Sequence, residues 1–308
     1  MGRLLHASLR EMYERKMPFT FLMPAAEAIY TPYDFRFVYD QPVGSVKTGG
    51  RASRREQELT GEIRAAEIRT DAAKKEKAED SDAGIWEAEE LAAFYNEHFD
   101  PIWQVTAVKD RAYYQTMILE QQSERGGVRI LRNAGQMTGF YAYAAEDGLE
   151  VREPLYLEGA GEEFVHSVEK LASDAVETVK IYGCPAELAS GKKPLIMARI
   201  VCLPAFLCAV QVPEDVTLEC SFAVIDPIIH QNSRIWKITG RAGETQLRIR
   251  EYEDSEGVIP IADLTEYLFG RIGIRELSER PGVMMSGHLA QELEKVTRLT
   301  RVCFNEVV

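Results

Sequence analysis

Long apolar runs are missing from these 308 residues. Nowhere do about 18 consecutive hydrophobic side chains follow one another, which is the minimum for a membrane-spanning helix. An apolar leader is missing as well: the first residues, "GRLLHASLREMYERK", mix apolar and charged positions at helical spacing, where a secretory signal has an unbroken hydrophobic stretch and a cleavage site. These absences predict a cytoplasmic protein. Positive charge is in deficit, with 36 Lys and Arg against 49 Asp and Glu and a formal net charge of −13. Such a chain repels a phosphate backbone, so no nucleic-acid partner is predicted, and small cationic partners are favoured. The five histidines form no H-x-x-x-H or H-E-x-x-H pair, and no metal site is expected. His6 falls on the polar side of the first helix and reads as a solvated residue. The five cysteines, Cys184, Cys202, Cys208, Cys220 and Cys303, lack C-x-x-C spacing and mostly sit in apolar strand-like runs. They read as buried free thiols, not as disulfides.

What is present is a hydrophobic content of 45%, enough for real cores, and a length suited to two or three compact units. Leu4, Leu5, Leu9, Met12 and Tyr13 recur at helical spacing, and Pro18 ends that helix before the strand "FTFLM". The stretch "FLMPAAEAIYTPYDFRFV" then reads as strand, turn and strand. Between residues 47 and 84 Ala, Glu, Lys and Arg dominate and Gly49, Gly50 and Gly61 interrupt, which predicts a charged, partly helical linker or insertion. A second unit spans 85–190. There "AEELAAFYNEHF" and "RAYYQTMILEQQ" read as helices, followed by hairpins turning at Asn133-Ala134-Gly135 and Glu146-Asp147-Gly148. The helix "EEFVHSVEKLASDAVET" and the strand "VKIYG" complete it. A third unit, 195–308, is strand-rich: "MARIVCLPAFLCAVQV", "VTLECSFAVID", "SRIWKITG" and "TQLRIREY" read as strands, "ADLTEYLFG" and "SGHLAQELEKVTRLT" as helices, and "RVCFNEVV" as a strand-like close.

The segment "GRLLHASLREM…FTFLMPAAEAIYTPYDFRFV" resembles the second half of a GNAT-superfamily N-acetyltransferase domain, and more closely the Eis (enhanced intracellular survival) type. That family couples two GNAT-like domains to a C-terminal domain of the sterol-carrier-protein fold. "MARIVCLPAFL", "FAVIDPIIHQNSRIWKIT" and "IPIADLTEYLFG" resemble the strands and helix of its third domain. The resemblance implies an α/β (α+β) protein. Its parts are a partial GNAT domain (1–46) lacking its N-terminal half, the charged linker (47–84), a second, degenerate GNAT-like domain (85–190) and a C-terminal sterol-carrier-protein-like α/β domain (195–308). In the family an Arg-x-x-Gly loop and the following helix N-terminus hold the coenzyme A pyrophosphate through backbone N–H groups and the helix dipole. Met1 and Gly2 match the end of that loop, and Ala25 and Ala26 match positions whose backbone meets the coenzyme. In the middle unit, Glu158, Glu162 and Glu163 of "LEGAGEEFVH" stand where phosphates would sit, so this domain is expected to be structural.

By the same resemblance Tyr30 is the general acid that protonates the departing thiolate, a task suited to a phenol of ordinary pKa near 10. Val308 contributes its terminal α-carboxylate as base, which at an ordinary pKa of about 3.3–3.7 needs burial or a relaying water to serve. The residues alone also allow Tyr30 to be a packing aromatic and Val308 the last residue of a strand. Asp34 departs from the glycine common in the family's turn, and aspartate tolerates the left-handed backbone that glycine supplies. The implied function is an N-acetyltransferase with acetyl-CoA as co-substrate, a cationic amine (aminoglycoside, polyamine or lysine) as acceptor, and homo-oligomeric assembly. The second reading is a non-catalytic fragment serving assembly or apolar-ligand binding. Without the pyrophosphate loop and the strand that lines the thioester, weak acetyl-CoA binding and little transfer are expected.

Overall fold

The computed structural model describes residues 2–48, 78–172 and 176–304. The described chain is mixed α/β and divides into two compact units, one made of Met1–Asp40 with Pro194–Val308, the other of Gln41–Lys193. No helix among the described residues is long and apolar enough to cross a membrane.

The chain opens with α1 (Gly2–Glu14), whose apolar face carries Leu5, Leu9, Met12 and Tyr13 into a core with Phe35, Met197, Val201, Ile228 and Ile229. Leu4, expected on that face, is 73% exposed instead. At 100° per residue Leu4 falls off the stripe that Leu5, Leu9 and Met12 define. Lys16 takes a left-handed φ of 57° as the helix unwinds, and Pro18 precedes β1 (Phe19–Leu22). A single turn of helix, α2 (Glu27–Tyr30), runs into a 3-10 turn, Thr31–Tyr33, and β2 (Arg36–Lys47) follows.

In the second unit, β3 (Ala78–Asp82), α3 (Ala88–His98), β4 (Val105–Thr106) and α4 (Arg111–Ser123) precede a meander of β5 (Gly127–Asn133), β6 (Gln136–Ala144) and β7 (Glu150–Tyr156). The predicted turn at Asn133 is a two-residue loop: Asn133 pairs with Gln136, and Ala134 and Gly135 both have positive φ, the geometry that matches strand twist. α5 (Gly161–Leu171) crosses over to β8 (Thr178–Tyr182), parallel to β7, and the strand order is β2-β8-β7-β6-β5-β3. Alternation sorts the core into two layers. Val128, Ile130, Phe140 and Ala142 pack under α3 and α4 with Leu91, Tyr95, Tyr114 and Ile118. Leu131, Tyr141, Val151, Val179 and Ile181 pack under α5 with Phe164 and Val168.

The stretch read as a linker is partly strand. Residues 49–77 lie outside the described residues, whereas 78–82 form β3. Its acids are recruited by cations: Asp80 takes Arg129 at 2.8 Å and Lys170 at 3.0 Å, and those bonds hold its carboxyl below the ordinary range against the opposing effect of burial. The helix predicted over "EEFVHSVEKLASDAVET" ends at Leu171, and residues 173–175 lie outside the described residues.

β9 (Ala189–Ile200) brings the chain back to the first unit, where Phe19↔Ile200 through Leu22↔Met197 pair it antiparallel with β1. The run read as one long strand then turns helical: α6 (Leu203–Ala209) carries Pro204 in its first turn, where the missing N–H is no loss. One consequence corrects the cysteine expectation. Cys184, Cys202, Cys220 and Cys303 are buried free thiols, but Cys208 on α6 is exposed. β10 (Leu218–Ile225), β11 (Ile235–Gly240), β12 (Arg248–Glu251) and β13 (Gly257–Pro260) are followed by α7 (Ile261–Leu268), α8 (Ile274–Glu279), β14 (Met284–Met285), α9 (Gly287–Glu294) and β15 (Val302–Cys303). Five of these strands form a sheet in the order β12-β11-β10-β13-β14, with only β10 and β13 parallel. Cys220, Phe222 and Val224 of β10 and Ile238 of β11 are buried, as are Leu264, Tyr267 and Leu268 of α7 and Leu289 and Leu293 of α9.

Candidate functional site

Tyr30 is the last residue of α2, half-buried against the α1 core, with its ring edge-on to Phe35 at 6.0 Å. The turn that follows is held by its own geometry. Pro32 fixes the first turn of the 3-10 segment, and Asp34 ends it with φ 62°, ψ 20°, the left-handed conformation expected where the family has glycine. Arg36 clips the turn from outside, donating to the carbonyls of Thr31 at 3.2 Å and Phe35 at 2.8 Å.

From inside, the turn rests on Arg199 of β9, which is fully buried. Its Nε donates to the Tyr33 carbonyl at 2.8 Å and its Nη1 to the Ile200 carbonyl at 2.9 Å, while Nη2 donates to Asp226 Oδ1 at 2.6 Å. Asp226 is saturated in turn. Oδ1 accepts from the backbone N–H of Ile228 and Ile229 at 3.0 and 2.8 Å, and Oδ2 from Asn232 at 2.9 Å. Asn232 also ties the Val201 carbonyl (2.8 Å) and the Leu203 N–H (3.0 Å), fixing the start of α6. A buried guanidinium donating to two carbonyls and to a carboxylate that is itself hydrogen-bonded is the arrangement that makes such a charge tolerable.

Asp34 is the loose member. Its Oδ2 is buried 3.6 Å from Arg199 Nη2 and makes no hydrogen bond among the described residues. Burial pushes its carboxyl above the ordinary range, against the pull of Arg199, and Asp226 and Asp263 push it further. Asp263 and Glu266 of α7 are raised by burial as well, opposed by Arg36 and Arg280. A carboxyl with a raised folded-state pKa favours folding most at low pH and loses that contribution as pH rises through the raised value. Asp34→Asn, which keeps a residue comfortable at positive φ, is therefore expected to hold or raise stability near neutral pH. It should also flatten the pH dependence, as read from urea midpoints across the acid range.

The other expected site residues fall as follows. Gly2 opens α1 directly against Tyr33: a Cβ added there would stand 2.6 Å from the Tyr33 hydroxyl oxygen. His6, one turn on, is of intermediate exposure, with its ring edge-on to Tyr33 at 5.6 Å. Ala25 and Ala26 are exposed between β1 and α2, with Ala26 extended at the N-cap. Met1 and Val308 lie outside the described residues. The tail is described as far as Phe304, which is 2% exposed and stacks on Phe21 of β1 at 4.5 Å, with Phe19 6.1 Å away. The structure thus brings Gly2 to Tyr33, on the turn that Tyr30 begins, and brings the C-terminal segment to β1, the strand that leads into Ala25 and Ala26.

Two features escaped sequence reasoning. One is Arg199 with Asp226; the signal was a charged residue in each of the apolar runs "MARIV" and "FAVID". The other lies in the second unit, where Lys109 and Glu153 form a buried ion pair, with the Lys109 ammonium 4.8 Å from the Tyr95 ring centroid. In that unit the Glu163 carboxylate accepts from Asn133 (2.8 Å) and Thr138 (3.1 Å), tying the first turn of α5 to the sheet.

Comparison with known proteins adds the following. Residues 203–305 match the family described as sterol carrier protein domain. No curated protein matches the sequence. Among solved structures, a conserved protein of Enterococcus faecalis described as a probable N-acyltransferase superposes with a TM-score of 0.74 at 17% identity, over 97% of this chain and 74% of its own. A GCN5-related N-acetyltransferase from Anabaena variabilis gives 0.70 at 14%, over 96% and 74%. Eis1 from Mycobacterium abscessus gives 0.62 at 13%, again over 96% and 74%. At such identities the likeness is one of fold. The chain is therefore similar in fold to a GCN5-related N-acetyltransferase, a probable N-acyltransferase and Eis1, and its residues 203–305 match the sterol carrier protein domain.

Proposed function

We propose that the chain belongs to an acetyl-CoA-dependent N-acetyltransferase acting on a cationic amine, with Tyr30 as general acid and the α-carboxylate of Val308 as base. The observation that carries the reading is the burial of Phe304 against Phe21. Val308 is four positions beyond Phe304, a reach of at most about 14 Å for extended chain. A carboxylate delivered there and a phenol on the adjoining turn divide the work of acyl transfer. The first takes a proton from the acceptor ammonium, freeing the amine that attacks the thioester carbonyl, and the second gives one to the thiolate as the C–S bond breaks. Gly2 at the start of α1, with the Tyr33 hydroxyl beside it, and the backbone of Ala25 and Ala26 are the coenzyme contacts in this reading. The formal net charge of −13 favours a cationic acceptor such as an aminoglycoside, a polyamine or a lysine side chain.

Thiol release from acetyl-CoA in the presence of a polyamine tests the reading. The assay is run at high co-substrate. Amine-dependent turnover should fall about 10²-fold or more in Tyr30→Phe, with KM for the amine little changed. Turnover indifferent to that substitution would refute the assignment. A second reading, a non-catalytic chain serving assembly, is favoured by the exposure of Leu4, Phe21, Met23 and Ile29 on α1, β1 and the turn beyond. Concentration-dependent association without thiol release would select it.

A further inference from the structure

We propose that the groove between α9 and the adjoining ends of β10 and β11 is a binding site for a small, polar, monoanionic carboxylate. The groove holds about 470 Å³, within the range of small-molecule sites, and it lies wholly in the region matched by the sterol carrier protein domain. Its walls are not those of a lipid tunnel. α9 and its C-cap contribute His288, Glu292 and Lys295, spaced i, i+4, i+7 on one face, and the strands contribute Thr217, Glu219, Thr239 and Arg241.

The charges pair off in a way that leaves one cation over. Lys237 holds Glu219 at 2.6 Å, and Lys295 holds Glu292 at 2.5 Å while also donating to the Thr217 carbonyl at 3.0 Å. The second oxygen of Glu292 accepts the backbone N–H of Glu219 at 2.9 Å. His288 Nδ1 lies 2.5 Å from Glu256 Oε2, which directs Nε2 elsewhere, 3.9 Å from Glu292 Oε1. Arg241, exposed just past β11, has no ion pair among the described residues. With His288 protonated the three pairs are neutral and Arg241 supplies a net positive charge. A planar carboxylate matches its guanidinium two oxygens to two N–H groups. A second negative charge would face Glu219 and Glu292, which selects monoanions over dianions.

His288 sets the pH range. Its pKa is raised, chiefly by the hydrogen bond to Glu256 and with Glu292 adding, while Lys295 opposes. The site is therefore most positive below that raised pKa and loses a charge as pH rises through it.

The test is titration of the full chain with lactate, succinate and inorganic phosphate, read by calorimetry and by the imidazole resonances of His288. Saturable lactate binding is expected on the acid side of the His288 titration, weakening as pH rises. Affinity should drop about tenfold in Arg241→Gln, and His288→Asn should abolish the pH dependence of binding, with the thermal melt unchanged on the alkaline side of the His288 titration. Lactate binding that is absent, or unaltered in Arg241→Gln, overturns the proposal, and so does tighter binding of succinate or phosphate than of lactate. None of these readouts depends on acetyl transfer, so the result stands apart from the fate of the Tyr30 assignment.

Discussion

Asp226→Ala is expected to destabilise the unit formed by Met1–Asp40 and Pro194–Val308 by about 5 kcal/mol, and Arg199→Met by nearer 3 kcal/mol, the range for removing one partner of a buried ion pair. The inequality follows from what each change leaves behind. Without Arg199, the Asp226 carboxylate still accepts three hydrogen bonds, from Ile228, Ile229 and Asn232. Without Asp226, those three donors and a fully buried guanidinium all lose an acceptor at once. Asp226→Asn, which keeps one carbonyl oxygen, should fall between. Urea unfolding followed by tryptophan fluorescence is the measurement, since the Trp236 indole N–H donates to the Asn232 carbonyl at 2.9 Å and so reports on this cluster. A loss below about 1 kcal/mol for Asp226→Ala would show the network to be dispensable. The functional corollary is that Arg199 is a positioning residue. It holds the Tyr33 carbonyl, so its loss should disorder the turn bearing Tyr30 even where the unit remains folded.

Which parts were legible in the sequence follows from the range of the interactions that set them. α1, α3 and α4, the Asn133 hairpin and the β10–β11 pair declare themselves through local periodicity and turn chemistry, and Asp34 was foreseen as a left-handed residue. α6 was not: seven residues are too few for a helical period to show within an apolar run, and Pro204 was the only local mark of its start. β3 was hidden for the opposite reason. "AEDSD" has no intrinsic strand character, and its extended form comes from pairing along β5 and from Arg129 and Lys170 gathering its acids. The site divides in the same way. Tyr30, Gly2, Ala25 and Ala26 were named only through a resemblance. Arg199 could be suspected from an arginine among strand residues, but nothing local says that its partner lies 27 positions on.

The ion pair of Lys109 with Glu153 offers the second large effect, and here the surroundings make the two halves unequal. Both side chains are buried in the Gln41–Lys193 unit, at 1% and 5% exposure. The ammonium lies 4.8 Å from the Tyr95 ring centroid and 5.3 Å from that of Tyr113, and aromatic faces favour a cation and disfavour an anion. Lys109→Met, which strands a carboxylate beside two ring faces, should therefore cost about 5 kcal/mol. Glu153→Gln, which leaves the ammonium among them, should cost about 3 kcal/mol. The double variant removes both charges and should recover to within about 2 kcal/mol of the parent, a coupling that a double-mutant cycle reads directly. The backbone adds an independent check. Residues Glu153 and Pro154 of β7 stand opposite Tyr141 alone, a bulge, and Glu153 takes φ 48° there. Glu153→Gly should then cost about 1 kcal/mol less than Glu153→Ala, because only the alanine retains a Cβ at positive φ. Strictly additive single-variant losses would mean that the two charges are solvated separately in solution. Equal costs for Gly and Ala would mean that the bulge relaxes once the carboxylate is gone.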